Sequence, residues 1–121
     1  MYRYYNPNPS KIHVGDCVIR ALTIALDCSW DTAFMSLMVK AYQEKDMPSS
    51  NAVWGKLLMQ HGYEHRLIDS FDNVREFAKL HPLGTYILAT GTHVLATVNG
   101  DYLDTWDSGD EVPIYYFTKE E

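Results

Sequence analysis

Cysteine is scarce in this chain, positive charge is diluted, and no long hydrophobic run occurs. The two cysteines, Cys17 and Cys28, lie 11 residues apart. A helix between them would hold their backbones roughly 16 Å apart at about 1.5 Å per residue. A disulfide tolerates a Cα separation of only about 7 Å. Two reduced thiols and a reducing compartment are therefore expected. The 10 lysines and arginines form no block, and the net charge is -6 with a pI near 5.2. That disfavours a surface tracking phosphates, so no nucleic-acid partner is expected. The sequence has no run of roughly eighteen apolar residues, which argues against a membrane span. Met1 to Pro7 lacks the charged-then-apolar layout of a secretion signal, and a cytoplasmic location is the expectation. Neither an internal repeat nor a low-complexity linker is present.

What remains is a chain of 121 residues with 46% hydrophobic and 21% charged side chains, enough for one globular domain with a real core. Pro7 and Pro9 favour extended backbone before them, so residues 1–14 are expected to form an extended N-terminal arm. Asp16 is a good N-cap residue, which puts Cys17 in the first turn of a helix. From Val18 to Leu26 that helix is apolar over most of its circumference. Arg20, Thr23 and Asp27 make one narrow polar stripe. A helix of this kind is central and buried.

Ser29 can cap a second helix from about Trp30 to Glu44, with Ala33, Phe34, Leu37, Met38 and Ala41 on its apolar face. Pro48-Ser49-Ser50 breaks the chain before a third helix ending near Gln60, and Gly62 suits a left-handed C-terminal position. Tyr63 to Ile68 reads as a strand. Asp69 or Ser70 caps a short helix stopped before Pro82. Beyond Gly84 the pattern turns to strands: Thr85–Thr90, His93–Val98, Tyr102–Trp106 and Ile114–Thr118, with Asn99-Gly100 as a hairpin turn. Helices packed on a C-terminal antiparallel sheet give an α+β domain over residues 1–121. Residues 119–121 are expected to be a frayed tail.

A thiol at a helix N-terminus has its pKa lowered, and a histidine oriented by a carboxylate would complete its activation. The hairpin supplies both. With a two-residue Asn99-Gly100 turn, paired residue numbers sum to 199, so His93 faces Trp106 and Leu95 faces Asp104. His93 and Asp104 are then diagonal neighbours about 7 Å apart at the backbone, within side-chain reach. Asp107 is held in reserve as the orienting carboxylate.

The Gly15-Asp16-Cys17 start, His93 opening a strand, and Asp104-Thr105-Trp106 on the adjoining strand resemble the papain-like cysteine peptidases. The small bacterial bacteriocin-processing type, which uses Asp in the third position, is similar in layout. The Gly-Asp-Cys start also resembles small phage-encoded proteins. The resemblance spans Gly15 to Asp107 and implies a minimal papain-like fold with Cys17, His93 and Asp104 as catalytic residues. It also implies that Trp106 shields the His–carboxylate bond. The family's oxyanion glutamine falls on Lys11 here. The oxyanion hole is therefore expected from Asn8, with Asn6 in reserve, and from the Cys17 backbone N–H. The chemistry implied is acyl transfer on amide or thioester bonds of a peptide or protein. A catalytically silent binding or inhibitor module and a transglutaminase-like acyltransferase are the alternatives.

The remaining polar and aromatic residues fit structural roles. Cys28 is expected to be structural. His13, Cys17 and His93 lack the paired spacings of a zinc site, and no metal or cofactor is implied. His61, His65 and His81 lie beside helix ends or turns. Arg20 is expected to pair with Asp16 or Asp27, and Trp30 and Trp54 read as core. Asp101, Asp107, Asp110 and Glu111 read as a solvated acidic edge.

Overall fold

The computed structural model describes residues 1–119 and has α+β architecture. In chain order the elements are β1 (Tyr2–Tyr4), α1 (Cys17–Ala25), α2 (Trp30–Glu44), α3 (Asn51–Gln60), β2 (Glu64–Leu67), α4 (Val74–Leu80), β3 (Thr85–Ala89), β4 (Val94–Val98), β5 (Asp101–Asp104) and β6 (Tyr115–Thr118). Of the expected tail, Lys119 is exposed beyond β6, while Glu120 and Glu121 lie outside the described residues.

The strands form one sheet in the order β1-β5-β4-β3-β6-β2. All pairings are antiparallel except β1 with β5, which is parallel. The sheet is therefore mixed rather than purely antiparallel. The exception comes from the arm: Tyr2, Arg3 and Tyr4 pair with Tyr102, Leu103 and Asp104. The edge of β5 offers free backbone groups, and the arm satisfies them as a parallel strand. The rest of the arm then turns, with Lys11 at a φ of 57° and Asn6 and Asn8 buried. Only part of residues 1–14 is extended.

Alternation along the strands splits the interior in two. Ile87, Ala89, Val94, Ala96 and Phe117 face α1, α2 and α3, where Leu22, Leu37, Trp54 and Leu58 complete the larger core. Leu88, Leu95 and Tyr102 face the other way onto Val74, Phe77 and Ala78 of α4. The sheet is thus covered on both faces. The α4 cap also differs from expectation. Asn73, not Asp69 or Ser70, accepts the Glu76 N–H, and the Glu76 side chain accepts the Asn73 N–H in return, a reciprocal capping box.

The Asn99-Gly100 hairpin has the expected register, with Val98 opposite Asp101 and Thr97 opposite Tyr102. Both turn residues have positive φ, 50° and 87°, which asparagine and glycine tolerate and most side chains do not. Among the described residues, no single helix is long and apolar enough to cross a membrane.

Candidate active site

α1 is short, and its ends are set by Asp16 and a left-handed Asp27 at φ 51°. Asp16 occupies the N-cap position but makes no side-chain cap bond. Its carboxylate turns inward instead. One oxygen accepts from Arg20 and the other from the Trp30 indole N–H at 2.9 Å. The Val18 and Ile19 peptide N–H groups are thus left without the carboxylate that normally caps them, and the Cys17 N–H, at the first helical position, has no intrahelical acceptor.

Cys17 is half-buried and unpaired with Cys28. His93 Nε2 donates to Asp104 Oδ2 at 2.6 Å. Cys17 and His93 line the same cleft and interact electrostatically, and with Nε2 taken by Asp104, Nδ1 is the ring nitrogen left for sulfur. The structure therefore brings Cys17, His93 and Asp104 together. The His93 ring also lies 5.3 Å from the Trp106 ring, tilted by 44°, and Trp106 is half-exposed beside it.

The hairpin pattern alone would not have produced the Cys–His pairing. Leu95 faces α4, on the side of the sheet away from α1, and strict alternation would send His93 the same way. β4 begins only at Val94. His93 belongs to a turn in which Thr90 N–H donates to His93 O at 2.8 Å and the Thr90 hydroxyl accepts the His93 N–H at 3.0 Å. Released from the ladder, its ring stands at the end of the sheet, where the first turn of α1 reaches it.

The charge states follow from this geometry. Burial raises the Cys17 thiol, but hydrogen bonds from His93 and the Val94 N–H, with the charges of His93 and Arg20, outweigh it and lower the pKa. For His93, burial works against the charged ring. The bonds to Asp104 and Cys17 and their negative charges prevail, pushing the pKa from 6.5 up to about 9. Burial likewise works against ionised Asp104, and bonds from His93 and Ser108 hold it below the usual carboxylate value. Relative to the free side chains, the site favours the charged forms: thiolate, imidazolium and carboxylate. Cys28 differs: burial and the nearby Asp27 charge raise its thiol.

Two contacts that support Asp104 were not foreseen. Ser108, fully buried, donates to Asp104 Oδ2 at 2.6 Å. Arg20 donates to Asp104 Oδ1 at 3.1 Å as well as to Asp16, and not to Asp27. A signal for Arg20 was present, since a lone arginine on an otherwise apolar helix needs buried partners. Ser108 carried none beyond lying four residues after Asp104.

Asp107, the reserve carboxylate, accepts the Tyr102 hydroxyl at 2.6 Å and the Gly109 N–H at 3.1 Å, while Asp104 is the carboxylate that meets His93. The two asparagines are occupied in the arm. Asn8 Oδ1 accepts the Ser10 N–H at 2.8 Å, and Asn6 Oδ1 accepts the Asn8 N–H at 3.2 Å. Neither lines the cleft beside Cys17. No metal-binding cluster of His, Cys, Asp or Glu occurs among the described residues.

That cleft has a volume of about 550 Å³ and runs from Cys17 and His93 between α1, α2 and the turn after β3. Its deeper wall is Val18, Trp30, Phe34, Leu37 and Met38. Trp30 is wall rather than core, half-buried and stacked on Phe34 with centroids 5.2 Å apart. Thr90 and Thr92 form part of the polar rim. No protein-family model, curated protein or solved structure matches the chain.

Proposed function

We propose that this protein is a cysteine-dependent hydrolase of papain-like type, acting on amide or thioester bonds of a peptide or protein. The observation that carries this reading is Cys17 beside His93 on one apolar cleft, with His93 hydrogen-bonded to buried Asp104. A structural cysteine needs neither an imidazolium partner nor an opening to solvent.

In the proposed reaction the Cys17 thiolate attacks the carbonyl carbon. Negative charge gathers on the carbonyl oxygen, next to the uncapped N–H of Cys17 at the start of α1. His93 delivers its Nδ1 proton to the leaving amine or thiol, and the carbonyl re-forms as a thioester. Water then attacks while His93 takes back a proton, releasing the acid and the free thiol. Asp104 fixes the ring so that Nδ1, not Nε2, addresses sulfur. The apolar wall suits an acyl portion bearing a bulky uncharged side chain. Among the described residues, the one acidic group lining the cleft is Asp16, and Arg20 and Trp30 engage both its oxygens.

One observation favours a second reading, a binding module with little turnover. Neither Asn8 nor Asn6 lines the cleft to donate its amide, and one absent oxyanion donor costs about 10²–10³ in rate. Electrophilic peptide probes read by adduct mass, run beside Cys17→Ala in a functional assay, separate the two. A hydrolase gains a single adduct on Cys17 and loses function in the variant. Equal slow labelling of Cys17 and Cys28 would overturn it, and full function in Cys17→Ala would favour the binding module.

A further inference from the structure

The carboxylate that orients His93 is itself held by the helix that carries the thiol. Asp104 is 1% exposed, and all its acceptor positions are used. Oδ1 receives Arg20 Nη2 at 3.1 Å and the Thr105 N–H at 2.8 Å, while Oδ2 receives His93 and the Ser108 hydroxyl. Arg20 lies three residues after Cys17, so one turn of α1 contributes both ends of a closed circuit. The circuit runs from Cys17 to His93, to Asp104, to Arg20, and back through the helix.

We propose that Arg20 is a positioning residue of the thiol site, clamping Asp104 against His93 by bridging it to Asp16. The inference rests on the hydrolase reading above. Three physical points support it. A carboxylate this deeply buried without a cation would take up a proton or draw in water, and would then orient the ring poorly. The charged groups facing Arg20 are Asp16, from the loop before α1, and Asp104, from the end of β5. One guanidinium thus serves two buried carboxylates, so the cluster of Asp16, Arg20 and Asp104 carries a single negative charge to balance the imidazolium. The planar fork of arginine also reaches two carboxylates at once, which an ammonium group at the end of a lysine cannot match.

The other arm of the clamp ends at the cleft. Asp16 holds the Trp30 indole, so the aromatic wall is fastened to the same guanidinium that fixes the base. The ion pairs are buried, with side-chain exposures of 8% for Arg20 and 6% for Asp16. Such a pair shields its geometry from solvent and salt.

The test is the pH dependence of Cys17 alkylation by iodoacetamide in Arg20→Met and Arg20→Lys, with Cys28 labelling and thermal melting as checks of the fold. If Arg20 positions the site, both variants shift the acid limb of the Cys17 profile upward. Once the limb lies above the assay pH, labelling slows about tenfold for every further pH unit it moves. Arg20→Lys falls between Arg20→Met and wild type. A purely structural arginine lowers the melting temperature and leaves the profile where it was, and that result in a folded Arg20→Lys overturns the proposal. Should Arg20→Met fail to fold, Arg20→Lys decides. The wild-type profile by itself reports on the thiol reading: Cys17 reacting no faster than Cys28 sinks that reading before any variant is considered.

Discussion

Replacing Asp104 with Asn isolates the contribution of one charge, because the side chains are nearly the same size. In the native site, His93 titrates at about 9 rather than 6.5; burial lowers it, and the Asp104 bond is the largest contribution raising it. If the substitution returns the ring to 6.5, the imidazolium fraction near pH 7.5 drops from about 97% to about 9%. The thiolate it stabilises drops with it. Alkylation of Cys17 near that pH should therefore slow by about tenfold or more, and the acid limb of its pH profile should move up. The variant carries a structural cost as well. An amide nitrogen at either oxygen position would face donors, Ser108 and His93 on one side or Arg20 and Thr105 N–H on the other. A mismatch of that kind in a site 1% exposed costs about 1–3 kcal/mol. The assay is peptide-resolved mass spectrometry of iodoacetamide adducts across pH, with Cys28 as internal reference. A folded Asp104→Asn protein with wild-type Cys17 kinetics would refute the reasoning, because the imidazolium would then owe nothing to the carboxylate.

Ser108→Ala removes a 2.6 Å bond to buried Asp104 and should cost about 2 kcal/mol in denaturant unfolding, with Cys17 labelling slowed less than in Asp104→Asn. Phe34→Lys puts a charge on the cleft wall. It should slow Cys17 modification by a phenylalanine-bearing peptide electrophile about tenfold or more while leaving iodoacetamide almost unaffected. If both reagents respond alike, the wall plays no part in acyl recognition. His93 has a folded pKa raised from 6.5 to about 9, so its contribution to stability is complete below pH 6.5 and disappears as pH rises through about 9. The melting-temperature gap between wild type and His93→Gln should close over that interval, and a constant gap would show that the ring is not held as its cation. Asp104, shifted down from 3.8, has the opposite sign, so Asp104→Asn should converge with wild type as pH falls below 3.8.

Local chemistry was readable residue by residue. Asn99-Gly100 announced a two-residue turn, and its register followed by arithmetic; the near-continuous apolar run after Cys17 announced a buried helix. Those two facts were enough to nominate Cys17, His93 and Asp104. What the sequence could not carry was direction at the ends of elements. Whether Asp16 caps α1 or turns to Arg20 and Trp30 depends on which donors other segments bring near, and the guanidinium won. Whether His93 follows the pleat or leaves it depends on the Thr90 turn. Tyr2–Tyr4 became a strand only because β5 had an unpaired edge to offer.

The sequence by itself determined the repeating elements, because periodicity and turn chemistry act over a few residues. The tertiary structure alone decided which of four buried acceptor positions on Asp104 each donor occupies, because those donors come from α1, the Thr90 turn and the loop after β5, and burial lets none of them settle for water.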